Sequence, residues 1–196
     1  LGASGVAFSI DTESGFKDAV VINASFGLGE LIVQGSISPD EYIVFKPALK
    51  KGFSSIIEKK LGNKDKMMVY GDDPDERLKI IPVEKVMQKR FSLREETVLQ
   101  LANWVVKIEE YYTRIRNKWT PMDVEWAIDG LSKELFIVQA RPETIHAGKT
   151  VTEIEDYQMK QTGNLVIKGI AVGTKIGQGD ANIIENPKQI DSFEKG

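Results

Sequence analysis

The stretch from Pro121 to Arg141 constrains this chain more than any other. Met122 to Ile128 alternates apolar and polar residues, and so does Leu135 to Arg141. Between them Asp129-Gly130-Leu131-Ser132-Lys133-Glu134 is a polar turn. Two alternating runs around such a turn specify a β-hairpin with a loop of about six residues. Side chains on a strand repeat with period two. Met122, Val124, Trp126 and Ile128 therefore share one face, and Phe136, Val138 and Ala140 are expected to bury with them. The other face carries Asp123, Glu125 and Ala127, then Leu135, Ile137, Gln139 and Arg141. Pairing about the loop centre sets Glu125 near Gln139 and Asp123 near Arg141. Carboxylate and amide oxygens are hard ligands suited to Mg²⁺, and an arginine can fork onto a phosphate. A Mg–nucleotide site needs that set. A half-exposed strand pair with solvated charges fits the same pattern.

The rest of the chain supplies a fold around the hairpin. Gly5 to Ile10 is a short apolar run that ends in the loop signal Asp11-Thr12-Glu13-Ser14-Gly15. Ala19 to Ala24 reads as a buried strand. Gly27-Leu28-Gly29-Glu30 precedes Leu31-Ile32-Val33, as a loop entering a helix would, with free N–H groups for an anion; a plain turn explains it as well. Tyr42–Phe45, Ser54–Glu58, Met67–Tyr70 and Leu78–Pro82 start 11 to 13 residues apart and read as an antiparallel meander. Seven lysines between Lys46 and Lys66 could face an anionic ligand, but read rather as a solvated sheet edge guarded against unwanted pairing. Ser92 and Glu95 have the spacing of a capping box. From there Val98, Leu101, Ala102, Val105, Ile108 and Tyr112 form one helical stripe, interrupted by Glu109, and the helix is expected to end near Tyr111 or Tyr112.

Composition narrows the function. The 196 residues are 41% hydrophobic and 28% charged, which is enough apolar material for a core. The net charge of −3 gives no global pull toward nucleic acid. The absence of cysteine excludes disulfides, thiolate metal sites and thiol catalysis within this stretch. No apolar run reaches the roughly 18 residues of a membrane span, and the N-terminus lacks the basic region of a signal peptide. A cytoplasmic protein without membrane or nucleic-acid partners is expected. The start at Leu1 and the stop at Gly196 read as a piece of a longer polypeptide.

Several blocks resemble the nucleotide-binding domain of the phosphoenolpyruvate synthase (pyruvate, water dikinase) family. They are Gly5-Val6-Ala7-Phe8-Ser9, Asp11 to Gly15, Gly27 to Glu30, Pro39-Asp40-Glu41-Tyr42, Pro121 to Trp126 and Leu135 to Thr144, in that order along the chain. The resemblance implies an α+β, ATP-grasp-type fold with a mixed or antiparallel sheet and packed helices. It assigns residues 1–146 to the C-terminal portion of that domain, 147–163 to a linker, and 164–196 to the first strands of a swivelling β/β/α phosphohistidine domain. It implies that Glu125 and Gln139 hold Mg²⁺ and that Arg141 binds ATP phosphate. Asp123 would support the metal, and Glu30 would contact metal or phosphate. The family converts ATP, pyruvate and water to AMP, phosphoenolpyruvate and phosphate through a phosphohistidine. The only histidine, His146, is misplaced for that role and reads as linker surface. The parent is expected to be a homodimer, and this piece alone to be inactive. A sister dikinase acting on another acceptor, an ATP-grasp ligase and a non-catalytic module remain alternatives.

Overall fold

The computed structural model describes residues 2–73 and 76–144, together with 160, 163, 164 and 176. The chain divides into two units, Leu1–Gln158 and Met159–Gly196. His146, the expected linker and the expected swivelling-domain strands lie outside the described residues, apart from 160, 163, 164 and 176. Every strand and helix among the described residues belongs to the first unit.

Six strands form one fully antiparallel sheet: β1 (Ala3–Phe8), β2 (Ala19–Phe26), β3 (Asp40–Phe45), β4 (Ile56–Lys60), β7 (Met122–Ile128) and β8 (Leu135–Pro142), in the order β4-β3-β2-β1-β7-β8. The unit is α+β, as expected, and its sheet is antiparallel rather than mixed. The remaining strands, β5 (Lys66–Asp73) and β6 (Glu76–Pro82), pair only with each other. The four strands expected as one meander therefore split into two pairs. Between β4 and β5 the chain turns away at Gly62, where an added Cβ would stand 2.2 Å from Pro39 backbone atoms. The short helices α1 (Glu30–Val33), α2 (Lys46–Lys50) and α3 (Lys85–Gln88) connect strands, and α4 (Glu95–Arg116) is the one long helix among the described residues.

The core lies between α4 and one face of the sheet. Val98, Leu101, Ala102 and Val105 of α4 meet Val20 and Ile22 of β2, Tyr42 and Val44 of β3, and Met122, Val124 and Trp126 of β7. Burying a large aliphatic or aromatic side chain contributes about 1.5–3 kcal/mol, so this one helix holds much of the sheet. Its start departs from the expected capping box. Ser92 does not cap α4; its amide and hydroxyl both donate to Asp40 Oδ2 at 2.7 Å. A buried carboxylate offers Ser92 a charge-assisted partner that outcompetes the helix's own N–H groups. The helix also runs one turn past the expected end, to Arg116, and closes on Asn117 in the left-handed conformation at φ 50°.

Two of the seven lysines are buried rather than solvated. Lys46 is 5% exposed and bonds Ser9 O and the Glu109 carboxylate. The other Glu109 oxygen accepts the Trp119 indole N–H at 2.6 Å. This explains the acidic break in the apolar stripe of α4. Lys64, fully buried, pairs with Asp40. Lys59 and Lys60, by contrast, sit exposed on edge strand β4, as the edge reading expects.

Candidate functional site

The hairpin forms within the expected bounds, with β7 and β8 joined by a turn over 129–134. Its loop is tied by Asp129, whose carboxylate accepts the Leu131 and Ser132 amides at 2.9 and 2.6 Å. Those two bonds hold the Asp129 carboxyl below the usual carboxylate range. The base is tied by Ser9, whose hydroxyl accepts the Met122 amide at 2.8 Å and whose own amide donates to Met122 O at 2.9 Å.

In the lower half of the hairpin Asp123 pairs with Arg141 and Glu125 with Gln139. Directly opposed residues of antiparallel strands project to the same face. The register continues across the sheet: Glu125 opposes Val6, Val6 opposes Asn23, Asn23 opposes Glu41, and Glu41 opposes Lys60. These six residues form one row on the face away from α4. That face is the polar one because α4 covers the apolar one.

The upper half differs from the expectation. Trp126 opposes Ile137 rather than Val138, so Val138 is an extra residue, a β-bulge. A one-residue slip reverses which face each side chain takes. Ile137 and Leu135 therefore pack against the core, while Phe136 and Val138 stand on the open face at 49% and 64% exposure. The expected burial of Phe136 and Val138 is overturned. The bulge satisfies both demands: the core takes its apolar residues above it, and the polar pairs align below it.

Arg141 and Asp123 form an ion pair. Arg141 Nε and Nη2 each lie 2.8 Å from the same oxygen, Asp123 Oδ2. The Asp123 side chain is 8% exposed and that of Arg141 66%. The bond to Asp123 raises the Arg141 pKa further above its ordinary value. The other Asp123 oxygen, Oδ1, is buried and has no hydrogen-bond partner. A buried carboxylate oxygen left unpaired is costly and calls for a ligand.

These features test whether the residues fit Mg²⁺. The donors are hard oxygens, Glu125 and Gln139 face each other, and Asp123, two residues before Glu125 on the same strand, has an unpartnered Oδ1. Among the described residues no group of three or more acidic or imidazole side chains is arranged to hold a metal. An ion here would draw further ligands from a bound anion and water, which is the habit of Mg²⁺. The set fits.

A hollow of about 890 Å³ opens beside Glu125. One wall is the loop of Gly27, Leu28 and Gly29 together with β5, and the other is the upper half of the hairpin. Glu30 stands on its rim as the first residue of α1 and accepts Gln34 Nε2 at 2.8 Å. Glu30 and Glu125 thus line one hollow. Gln139 and Arg141 do not line it. No lysine or arginine is among its described lining residues, whose acids are Glu30, Glu125 and Asp129. Sequence reasoning assigns Tyr70 no role beyond ending a strand and places Phe136 and Val138, which line this hollow with it, in the core. The bulge and the separate β5–β6 ribbon create their positions, and neither leaves a local signal.

Comparison with known proteins adds an independent line. The family described as "Pyruvate phosphate dikinase, AMP/ATP-binding domain" matches residues 2–162. The whole chain is similar to the phosphoenolpyruvate synthase of Aquifex aeolicus, at 54% identity over 201 residues and 23% of that protein. It is likewise similar to those of Synechocystis, at 48% identity and 24% of that protein, and of Escherichia coli, at 42% and 24%. The chain spans about a quarter of the length of these relatives.

Proposed function

Given that this chain belongs to the pyruvate phosphate dikinase AMP/ATP-binding domain family, we propose that it is the part of a phosphoenolpyruvate synthase that holds Mg–ATP during phosphoryl transfer to a histidine. The observation that carries the reading is the register of β7 and β8, with Glu125 against Gln139 and Asp123 against Arg141 on one open face. The parent reaction would convert ATP, pyruvate and water to AMP, phosphoenolpyruvate and phosphate, the chemistry of a pyruvate, water dikinase. The fold would be ATP-grasp, with 1–146 its C-terminal portion, 147–163 a linker and 164–196 the start of the swivelling domain. Among the described residues no helix is long and apolar enough to cross a membrane. A cytoplasmic homodimer is the proposed state of the parent.

Each residue has a distinct task. Glu125 and Gln139 would hold Mg²⁺, with Asp123 Oδ1 supporting it. Held there, Mg²⁺ would supply positive charge against the phosphate oxygens. Arg141 is oriented by Asp123, which takes Nε and Nη2 and leaves Nη1 to donate to a phosphate oxygen. A guanidinium fixed in this way needs no reorganisation as charge develops on the transferred group. Glu30 would act from the rim, on the metal or on its water.

Titration of ATP into the full-length protein tests the reading. Binding that strengthens with Mg²⁺, and loses that dependence in Glu125→Ala, supports it. Nucleotide binding indifferent to both Mg²⁺ and Glu125 rules it out. The isolated chain is expected to turn over no pyruvate, because the phosphoryl-carrying histidine and the pyruvate site would lie elsewhere in the parent.

A further inference from the structure

The hollow beside Glu125 has an unusual lining for a phosphate site. Its described lining includes no cation, and its polar charges are carboxylates. A triphosphate cannot settle among carboxylates without a cation between them. The cationic group of the candidate site, Arg141, lies outside the hollow on the other strand of the hairpin. The phosphates therefore belong toward Glu125, Gln139 and Arg141, and the hollow itself suits an uncharged, flat, largely apolar group. Its volume of about 890 Å³ lies within the span of small-molecule sites, about 300–1,000 Å³.

One ring stands out there. Tyr70 of β5 is 74% exposed, yet it lines the hollow from a sheet separate from the one that carries Glu125. It is held in place from below. Met68, two residues earlier on the same face of β5, is 7% exposed and packs with Leu31 and Ile37, and Met68 O accepts the Leu28 amide at 2.9 Å. The ribbon is thus anchored at Met68 and presents Tyr70 beyond the anchor. An exposed aromatic ring on a fixed strand, facing a hollow, is a stacking platform.

We propose that Tyr70 is a ligand-contacting residue that stacks on the base of the bound nucleotide, so that the hollow takes the nucleoside half and the hairpin takes the phosphates. This rests on the Mg–ATP reading of the hairpin. It adds a residue on β5 that fixes which end of the nucleotide lies where.

The test compares Mg–ATP with Mg–tripolyphosphate, which has the phosphates and no base, on the full-length protein by titration calorimetry. Tyr70→Ala should weaken Mg–ATP tenfold or more and change tripolyphosphate less than twofold. Tyr70→Phe, which keeps the ring, should hold ATP within twofold of wild type. Far-UV circular dichroism and the melting temperature of Tyr70→Ala should match wild type, since the side chain is exposed. ATP affinity unchanged in Tyr70→Ala, or a loss shared equally by ATP and tripolyphosphate, overturns the proposal while leaving the Mg–ATP reading intact. A wild-type protein that binds neither compound overturns both.

Discussion

Arg141 and Asp123 share a single oxygen: Nε and Nη2 of the guanidinium both lie 2.8 Å from Asp123 Oδ2, and Asp123 Oδ1 is left buried without a partner. One carboxylate is thereby divided between two duties. One oxygen aims an exposed guanidinium, and the other stays buried and unpartnered on the strand that carries Glu125 two residues on. This division yields the first prediction. In the full-length protein, Glu125→Ala and Arg141→Ala should each lower ATP-dependent histidine phosphorylation at least about a hundredfold, the scale on which loss of one preorganised charge-stabilising group is felt. Arg141→Lys keeps the charge and loses the fork, so it should stay clearly impaired. Raised Mg²⁺ should rescue Glu125→Ala in part and Arg141→Ala not at all. Phosphorylation of the same histidine from phosphoenolpyruvate should survive in every variant; its loss with ATP-dependent transfer intact would falsify the assignment.

The second prediction concerns Lys46 and Glu109, whose side chains are 7% and 9% exposed. Breaking a buried ion pair from one side leaves a stranded charge and costs about 3–5 kcal/mol. Lys46→Met should therefore lower the urea midpoint sharply. The double variant Lys46→Met, Glu109→Leu should recover a good part of that loss. A double variant as unstable as the sum of the singles would show that the two residues do not act as a pair.

Tyr42 provides a spectroscopic handle. Burial pushes its phenol up from 10 to about 12, against the lowering effect of the Leu93 amide that its oxygen accepts. An acid whose folded pKa is raised keeps its proton where the unfolded chain has lost it, so the associated stability is complete below pH 10 and declines as pH rises toward 12. Absorbance at 295 nm should show one tyrosine ionising near pH 12, or only on unfolding. That step should be missing in Tyr42→Phe. A full set of tyrosines titrating near pH 10 in folded protein would contradict the buried environment.

Gly62 tests the junction between the six-stranded sheet and the β5–β6 ribbon. Its amide donates to Asp40 Oδ1 at 2.9 Å, and a Cβ there would lie 2.2 Å from Pro39 backbone. Backbone cannot yield as a side chain does, so Gly62→Ala should cost about 2 kcal/mol or more. Gly52→Ala provides the contrast, because its added Cβ meets nothing within 4 Å and only the positive φ of 75° is strained. Thermal melts of the two variants should differ, with Gly62→Ala the less stable.

Much of the candidate site was legible because period-two alternation is a local property. The pairing of Asp123 with Arg141 and Glu125 with Gln139 follows from counting outward from the loop, and the strands pair in that register. The bulge was not legible: nothing in Phe136-Ile137-Val138-Gln139 announces which residue is extra, and the choice is made by the fit of Trp126 and Ile137 into the core. The α4 stripe was legible by its period, whereas its cap was not. Ser92 and Glu95 have the spacing of a capping box, but Asp40, 52 residues earlier, takes both Ser92 donors. Lys46 and Lys64 were read as surface from composition, and only tertiary packing supplies the carboxylates that bury them. Long-range partners decided each miss.

The extra residue at Val138 has a consequence for comparing this chain with others. It works as a phase switch in the middle of one strand: below it even-numbered residues of β8 turn to the core, and above it odd-numbered ones do. A relative lacking this one residue would pair regularly through the same point, with its counterparts of Gln139 and Arg141 on the open face, those of Ile137 and Leu135 on the core and that of Phe136 on the wall. A relative that keeps the residue but pairs it without a bulge would instead turn Phe136 and Val138 inward. A single-residue gap in an alignment at this position is therefore absorbed by the bulge, and costs the wall only the Val138 side chain.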